Sequence, residues 1–201
     1  SVFDDIAKTA LEHIRETNAA KRRVTIWHCG VSTGQEAYSM AMLLAEQGEQ
    51  WAGWQVDVVG TDVSYHAISR ARVGLYSQFE IQRGLPVQRM VRWFDQTEGG
   101  WLAKADLRRR IDFSVQNMLV DRPPLASPAD LIFCRNLLLY FSLPMRQKAF
   151  ARLRSVAAPQ SFLVLGAGET VLGQTDQFVA SRRLRGLYEP ADQQVRAPVA
   201  A

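Results

Sequence analysis

Residues 27–44, WHCGVSTGQEAYSMAMLL, restrict the fold of this chain more than any other stretch. An apolar segment ends in a turn of small residues between Gly30 and Gly34 and runs directly into a segment with helical spacing of apolar residues. Glycine lets the backbone pass close to a bound molecule, and the first turn of a helix has free N–H groups. A strand, a glycine turn and a helix in this order predict an α/β fold with a ligand at the turn.

The rest of the sequence continues the alternation of helices and strands. The patterns predict helices at 3–15, 35–46, 64–73 and 143–157, and helical structure at 79–94 around a break at Gly84-Leu85-Pro86. They predict strands at 24–29, 54–61, 111–116, 130–134 and 161–165. A small antiparallel insert is predicted at about 95–112, a closing hairpin before Tyr188, and a frayed tail from Glu189. We therefore expect one domain over residues 1–201, with a mostly parallel sheet covered by helices on both faces.

Composition limits the classes of protein to which this chain can belong. With 201 residues, 47% of them hydrophobic, the chain is long enough for one sizeable core. Its apolar runs have the length of strands and not of membrane spans, and its N-terminus lacks the pattern of a secretory signal. We expect a cytoplasmic protein that is not inserted in a membrane. A net charge of +4 favours an acidic partner surface without indicating nucleic acid.

Cysteine and histidine usage indicates neither a disulfide nor a metal site. Cys29 and Cys134 both fall at the ends of predicted strands, as expected for small core residues in a reducing compartment. No histidine or cysteine stands at ligand spacing near either of them. His28 has no partners that would complete a nucleophile, base and orienting acid, so hydrolase chemistry is unsupported.

Asp62 follows the second predicted strand directly. A carboxylate at this position can accept hydrogen bonds from both hydroxyls of a ribose, although a turn or helix-capping acid is the simpler interpretation. The turn reads Gly-x-Ser-Thr-Gly and Asp62 lies 28 residues after Gly34, which departs from the dinucleotide pattern. The sequence therefore favours a shorter cofactor that carries adenosine.

Glu36 lies in the first turn of the helix that follows the glycines. Two anions repel at a helix start, so this carboxylate argues against a phosphate ligand and suits a cationic one, such as an ammonium or a sulfonium. The alternative is that Glu36 only complements the helix dipole. On the second interpretation it carries no information about a ligand.

Polar side chains also follow two later strands. Asn117, before Met118, and Asn136, before Leu137, each carry an amide that could bind an adenine edge or the amino-acid part of a cofactor, although turn-stabilising asparagines are common. Tyr140 could direct its phenol into the same cleft, or be a half-buried core aromatic.

Five segments carry more specific motifs, in this order: Ile26-Trp27-x-x-Gly30-x-Ser32-Thr33-Gly34-x-Glu36-x-Tyr38-Ser39, Gly60-Thr61-Asp62-Val63, Asn117-Met118-Leu119, Phe133-Cys134-Arg135-Asn136-Leu137-Leu138-Leu139-Tyr140-Phe141 and Leu165-Gly166-x-Gly168-Glu169. Together they resemble the CheR family of chemotaxis receptor glutamate methyltransferases. The resemblance implies a Rossmann-like, S-adenosylmethionine-dependent methyltransferase fold. It also implies transfer of a methyl group to a glutamate side chain of a methyl-accepting receptor, which leaves S-adenosylhomocysteine.

The resemblance further implies roles for particular residues. Tyr140 would approach the transferring methyl group, and the insert would match a small β-subdomain that grips a receptor tail in some members. The cofactor would be lined by Gly30, Glu36, Asp62, Asn117, Met118, Asn136 and Leu137. No general base is needed, because a glutamate of ordinary pKa near ~4.3 is already ionised at neutral pH.

The chain departs from the family pattern in three ways. Gln35-Glu36-Ala37-Tyr38 stands for Glu-Glu-Pro-Tyr, and Ala167-Gly168-Glu169 for His-Ser-Glu. We also expect the family's N-terminal helical domain and its Thr-x-Phe-Phe-Arg segment to be absent from this chain. Two alternatives therefore stay open: a non-catalytic module that keeps the cofactor pocket as a sensor or scaffold, and a methyltransferase for small molecules.

Overall fold

The computed structural model describes residues 2–183 and 185–191. Ten strands and seven α-helices follow one another along these residues, with two short 3₁₀ helices at Gly48–Trp51 and Leu138–Tyr140. The helices are α1 Val2–Thr17, α2 Gln35–Glu46, α3 Tyr65–Val73, α4 Gln78–Gln82, α5 Val87–Trp93, α6 Ala105–Arg108 and α7 Leu143–Val156. The strands are β1 Arg23–Cys29, β2 Gln55–Asp62, β3 Leu75–Tyr76, β4 Phe94–Thr97, β5 Gly100–Ala103, β6 Asp112–Val115, β7 Ala129–Cys134, β8 Ala157–Leu165, β9 Phe178–Ala180 and β10 Leu187–Pro190.

Seven strands form one mixed sheet in the order β6-β2-β1-β7-β8-β10-β9. The first five are parallel to one another, and β10 pairs antiparallel with both β8 and β9. From β1 the chain builds outwards to β2 and β6, then returns to β7 on the other side of β1. In such a sheet the crevice for a ligand lies beyond the carboxyl ends of the strands where the order reverses, here at β1 and β7.

Both faces of the sheet are buried by helices. In β1, Ile26 packs in one core cluster with Leu11 of α1 and Met40 of α2, whereas the next residue, Trp27, packs in a second cluster with Phe150 of α7. Alternate side chains of a strand point to opposite faces, so a strand covered on both sides reads as a continuous apolar run. The predicted α/β class with helices on both faces is confirmed.

Three further strands form a separate small antiparallel sheet in the order β3-β5-β4. An antiparallel insert was predicted at about 95–112, but its first strand already lies at Leu75–Tyr76, and residues 105–108 form the short helix α6. A strand of two residues is too short to show an alternating pattern. The predicted start of the insert was therefore about twenty residues too late.

The end of the chain also differs from the prediction. A frayed tail was expected from Glu189, but Glu189 and Pro190 pair with β9 as part of β10. Residues 192–201, the rest of that predicted tail, lie outside the described residues. Within the part of the chain that the structure describes, none of the helices is long and apolar enough to cross a membrane.

Candidate functional site

Residues 30–34 form a tight turn between the end of β1 and the start of α2. Gly30, Ser32 and Gly34 all take positive φ values, of 71°, 52° and 89°. The N–H groups of Gly30 and Val31 both donate to the carbonyl oxygen of Thr61 at 2.9 Å, which ties the turn to β2. Ser32 adopts a conformation that disfavours side chains, so contacts outside the turn must hold it in place.

Asp62 supplies one such contact from the end of β2. Its Oδ2 accepts the N–H of Ser32 at 2.8 Å, and its Oδ1 accepts the N–H of Ser64 at 2.9 Å, one residue before α3 begins. The acid therefore stabilises the turn as well as standing in the cleft described below. Since a carboxylate oxygen has two lone pairs, each oxygen can still accept one more donor.

A cleft of about 200 Å³ opens at the carboxyl ends of β1, β2 and β6. Its walls combine apolar side chains with the polar groups of Asp62, Gln116 and Asn117; the lining residues are Cys29, Gly30, Thr61, Asp62, Val63, Gln116, Asn117, Met118, Leu119, Leu137 and Phe141. Leu137 packs directly on Gly30, because a Cβ on that glycine would lie 3.0 Å from Leu137 Cδ2. Five residues singled out in the sequence thus meet in one cleft: Gly30, Asp62, Asn117, Met118 and Leu137.

Glu36 lines a neighbouring cleft and is engaged by two side chains. Its Oε1 lies 3.0 Å from Nδ1 of the buried His28, and its Oε2 accepts from Arg135 Nη1 at 2.6 Å. Burial by itself raises the pKa of the Glu36 carboxyl, but the hydrogen bonds and charges contributed by His28 and Arg135 outweigh burial and lower that pKa from its usual value. Glu36 is therefore held in its charged form.

Asn136 and Tyr140 stand outside the lining of these clefts. Asn136 takes a left-handed φ of 57°, and its Oδ1 lies against Gly166, at a place where a Cβ on that glycine would collide with it. Tyr140 is 83% exposed, in the 3₁₀ helix that follows Leu137. The structure thus brings neither side chain to the cleft that Asp62 lines.

Glu169 supports the site from below, although it was not placed among the site residues from the sequence. Its buried carboxylate accepts three backbone N–H groups: Asn136 and Gly166 donate to Oε2 at 2.8 and 2.7 Å, and Leu138 donates to Oε1 at 2.8 Å. It joins the loop after β7 to the loop after β8, and so holds Leu137 beside the cleft. The available signal was a charged residue within the apolar and glycine-rich stretch 162–173.

His28 and Arg135 were assigned no role in the site from the sequence, but both bind Glu36. His28 stacks on Phe133 with ring centroids 4.7 Å apart and presents Nδ1 to Glu36. Arg135 follows β7 directly and lines the cleft of Glu36 as well as the next one, beside Gly166 and Glu169. His28 is the next-to-last residue of β1, and Arg135 directly follows the adjacent parallel strand β7. These positions near the glycine turn were the signal that could have identified them.

Comparison with known proteins identifies the family of this site. The sequence matches the family model "CheR methyltransferase, SAM binding domain" over residues 1–185. The chain belongs to this family. The chemotaxis protein methyltransferase of Vibrio parahaemolyticus is 37% identical over 166 residues, which are 81% of this chain and 60% of that protein. Chemotaxis protein methyltransferase 1 of Pseudomonas aeruginosa is 32% identical over 182 residues, which are 88% of this chain and 65% of that protein.

The CheR-family chain thus spans somewhat less than two thirds of the length of these curated relatives. Among solved structures, a TehB-like SAM-dependent methyltransferase from Corynebacterium glutamicum matches with a TM-score of 0.44 and 19% identity, over 75% of this chain and 59% of that one. The cofactor of the family domain is S-adenosylmethionine, as expected from the motifs.

The residues of the Asp62 cleft suit the adenosine part of this cofactor. Asp62 can accept ribose hydroxyls, the amide of Asn117 can bind a purine edge, and Met118, Leu137 and Phe141 offer apolar walls to a flat base. The charged carboxylate of Glu36 suits a cationic amino-acid part. Within the described residues, no group of three or more His, Cys, Asp or Glu side chains could hold a metal ion.

Proposed function

We propose that this protein transfers the methyl group of S-adenosylmethionine to glutamate side chains of chemotaxis receptors, forming methyl esters. The observation that carries the proposal is the pair of polar clefts beside the glycine turn. Asp62 and two amide side chains line one cleft, and the Glu36 carboxylate, held ionised by His28 and Arg135, lines the other. That arrangement suits a positively charged adenosine derivative. The relatives that are named chemotaxis protein methyltransferases support the receptor as acceptor.

The proposed roles of the residues follow from their positions. Gly30, Asp62, Asn117, Met118 and Leu137 hold the adenosine part, and Glu36 faces the ammonium group. Asn136 shapes the loop that carries Leu137. We propose that Tyr140 contacts the methyl side of the site, because it lies three residues after Leu137 and its phenol is exposed to an incoming substrate.

The reaction requires little acid–base catalysis from the protein. Bound S-adenosylmethionine supplies an electrophilic methyl group, which a receptor carboxylate takes up as the bond between methyl carbon and sulfur breaks. Because the acceptor is already ionised at neutral pH, the protein's residues need only orient the two molecules and exclude water from the carboxylate. A site without a paired general acid and base is consistent with this task.

A methyl-transfer assay tests the proposal. The protein as its gene encodes it is incubated with methyl-labelled S-adenosylmethionine and membranes that carry methyl-accepting receptors. We expect label in the receptor that alkali releases as methanol, the signature of an ester. Asp62→Ala removes both the hydrogen bonds to the turn and the ribose acceptor, so we expect cofactor binding to weaken about 100-fold.

The same assay separates the alternatives. If the wild-type protein binds the cofactor in calorimetry but labels no receptor, it acts as a sensor or scaffold, and the proposed enzyme is wrong. If label appears in a small molecule and none in protein, the acceptor class is wrong. We place the reaction in the cytoplasm as part of this proposal, because the receptor segments that become methylated would have to meet the protein there.

A further inference from the structure

The glycine turn is held from the side of the small antiparallel sheet as well as from β2. The phenol of Tyr76, in β3, donates a hydrogen bond of 2.6 Å to the carbonyl oxygen of Thr33. Tyr76 is only 2% exposed, so this bond is shielded from water. It links the observed insert, residues 75–103, to the middle of residues 30–34.

The hydrogen bond from Tyr76 reaches the part of the turn whose backbone conformation is least favourable. Thr33 lies between Ser32 and Gly34, which both have positive φ values. The hydrogen bonds from Gly30 and Val31 to Thr61, and from Ser32 to Asp62, all fix the turn against β2. Tyr76 fixes it from a different direction, and two anchors on different sides restrict a loop more than two on the same side.

Tyr76 is itself set in place by the other strands of the small sheet. Its ring lies edge-on to Phe94 of β4, with centroids 6.1 Å apart. Gly100 of β5 has a φ of 128°, and a Cβ there would collide with the carbonyl oxygen of Tyr76. The phenol therefore occupies a position determined by all three strands.

A second hydrogen bond joins the same two parts of the chain. Gln35, the first residue of α2, donates from Nε2 to the carbonyl oxygen of Glu80 in α4 at 3.2 Å. Thr33 and Gln35, which lie just before Glu36, thus each form a hydrogen bond to the insert.

We propose that Tyr76 is a positioning residue that holds the glycine turn in the shape that receives S-adenosylmethionine. The small sheet is then part of the cofactor site and not only a surface for a partner. This inference rests on the part of the proposed function that assigns the cofactor to the turn. It is independent of which acceptor receives the methyl group.

The chain offers a matched control for the test. Tyr38, in α2, is 1% exposed, its ring lies edge-on to that of Tyr76, and its phenol donates 2.8 Å to the carbonyl oxygen of Ala71 in α3. Tyr76→Phe and Tyr38→Phe each remove one buried hydroxyl and keep the ring. They differ in whether the lost hydrogen bond reaches the glycine turn.

Calorimetry with S-adenosylhomocysteine on the 201-residue chain measures the effect. A net hydrogen bond of ordinary strength corresponds to about a three- to tenfold change in an equilibrium constant, so we expect the dissociation constant to rise by that factor in Tyr76→Phe and by less than about twofold in Tyr38→Phe. Equal effects in the two variants, or no effect in Tyr76→Phe, overturn the inference.

Hydrogen exchange provides a second readout that general destabilisation would not mimic. In the absence of cofactor, we expect the amides of residues 30–35 to exchange faster in Tyr76→Phe than in Tyr38→Phe, while the core strands exchange alike. Unchanged exchange of the turn in Tyr76→Phe contradicts the proposal even if the variant is less stable. If the wild-type chain fails to bind the cofactor, the assignment of the site fails; if wild type binds and Tyr76→Phe binds equally, the positioning role alone fails.

Discussion

The carboxylate of Glu36 binds two side chains that come from different strands. His28 belongs to β1, whereas Arg135 follows β7 and lies 99 residues after Glu36 in the sequence. This arrangement fixes the charge and the direction of the carboxylate before any ligand binds. A preorganised charge attracts a cation more strongly than a mobile one, since no further ordering is needed on binding.

The charge of Glu36 can be tested with Glu36→Gln, which keeps the shape of the side chain. We expect S-adenosylmethionine to bind about tenfold more weakly, because a charge-assisted contact to its ammonium is lost. Binding of 5′-methylthioadenosine, which has no amino-acid part, serves as the control in calorimetry and should change by less than about twofold. If both ligands weaken alike, Glu36 acts on the shape of the turn and not through its charge.

Individual site residues could be predicted from the sequence where their position depends only on their own strand or helix. Gly30 and Asp62 were found because each directly follows a predicted strand, and both line the cleft. Asn136 was chosen by the same argument, but its positive φ turns its side chain towards Gly166. Which way a side chain points after a strand depends on loop contacts that are not local in sequence.

Contacts between secondary-structure elements include those of Glu169, which joins the loops that follow β7 and β8. We expect Glu169→Gln to lower the free energy of unfolding by about 2 kcal/mol, because the amide nitrogen that replaces one oxygen faces a backbone N–H and cannot accept from it. Urea unfolding followed by circular dichroism measures the change. Glu98→Gln, in the exposed turn between β4 and β5, is the control and should be neutral. Equal stability of both variants would show that the three hydrogen bonds contribute little.

A second connection between elements is an ion-pair network on Arg89 of α5. Arg89 donates to Asp4 of α1 at 3.0 Å and to Glu46 of α2 at 2.8 Å. Burial raises the pKa of the Asp4 carboxyl, whereas the hydrogen bond and charge of Arg89 lower it, and the pKa is lowered overall. The network fastens the insert to two helices of the main domain.

The lowered pKa of Asp4 gives a pH dependence of stability. A carboxyl with a lower pKa in the folded state contributes stability that is full above its unfolded value of ~3.9 and is lost as pH falls through the folded value. Arg89→Gln should therefore cost about 1 kcal/mol at pH 7, and the difference from wild type should shrink below about pH 4. Arg83→Gln removes an exposed charge from the same insert and should cost little at either pH. A cost of Arg89→Gln that stays constant to pH 3 would contradict this assignment.

Among the elements, long periodic segments were predicted well and short ones were not. The helix at 35–46 was predicted with the bounds it has, and Ser64 caps α3 as expected by accepting the N–H of Ala67. β3 was not predicted because a strand of two residues is too short to show an alternating pattern. α6 was not predicted because its four residues make barely one helical turn. Their places are set by packing on α2, α3 and β5, which no local pattern records.

For the whole molecule, alternation of strands and helices predicted the parallel sheet but not the order of its strands. Two branches of the sheet leave β1 in opposite directions, and the site forms at the point where they part. The residues gathered there come from segments scattered between positions 28 and 169. Their grouping could be anticipated from the rule that carboxyl ends of parallel strands share one edge, whereas the pairing of Glu169 with three N–H groups could not.

The link between Tyr76 and Thr33 has a consequence for engineering. A chimera that replaces residues 75–103 with the corresponding stretch of a relative also replaces an anchor of the turn at 30–34. We expect such an exchange to weaken binding of the methyl donor, unless the transplanted stretch supplies a phenol at the same place. Redesign of the insert therefore entails readjusting the loop that Tyr76 anchors.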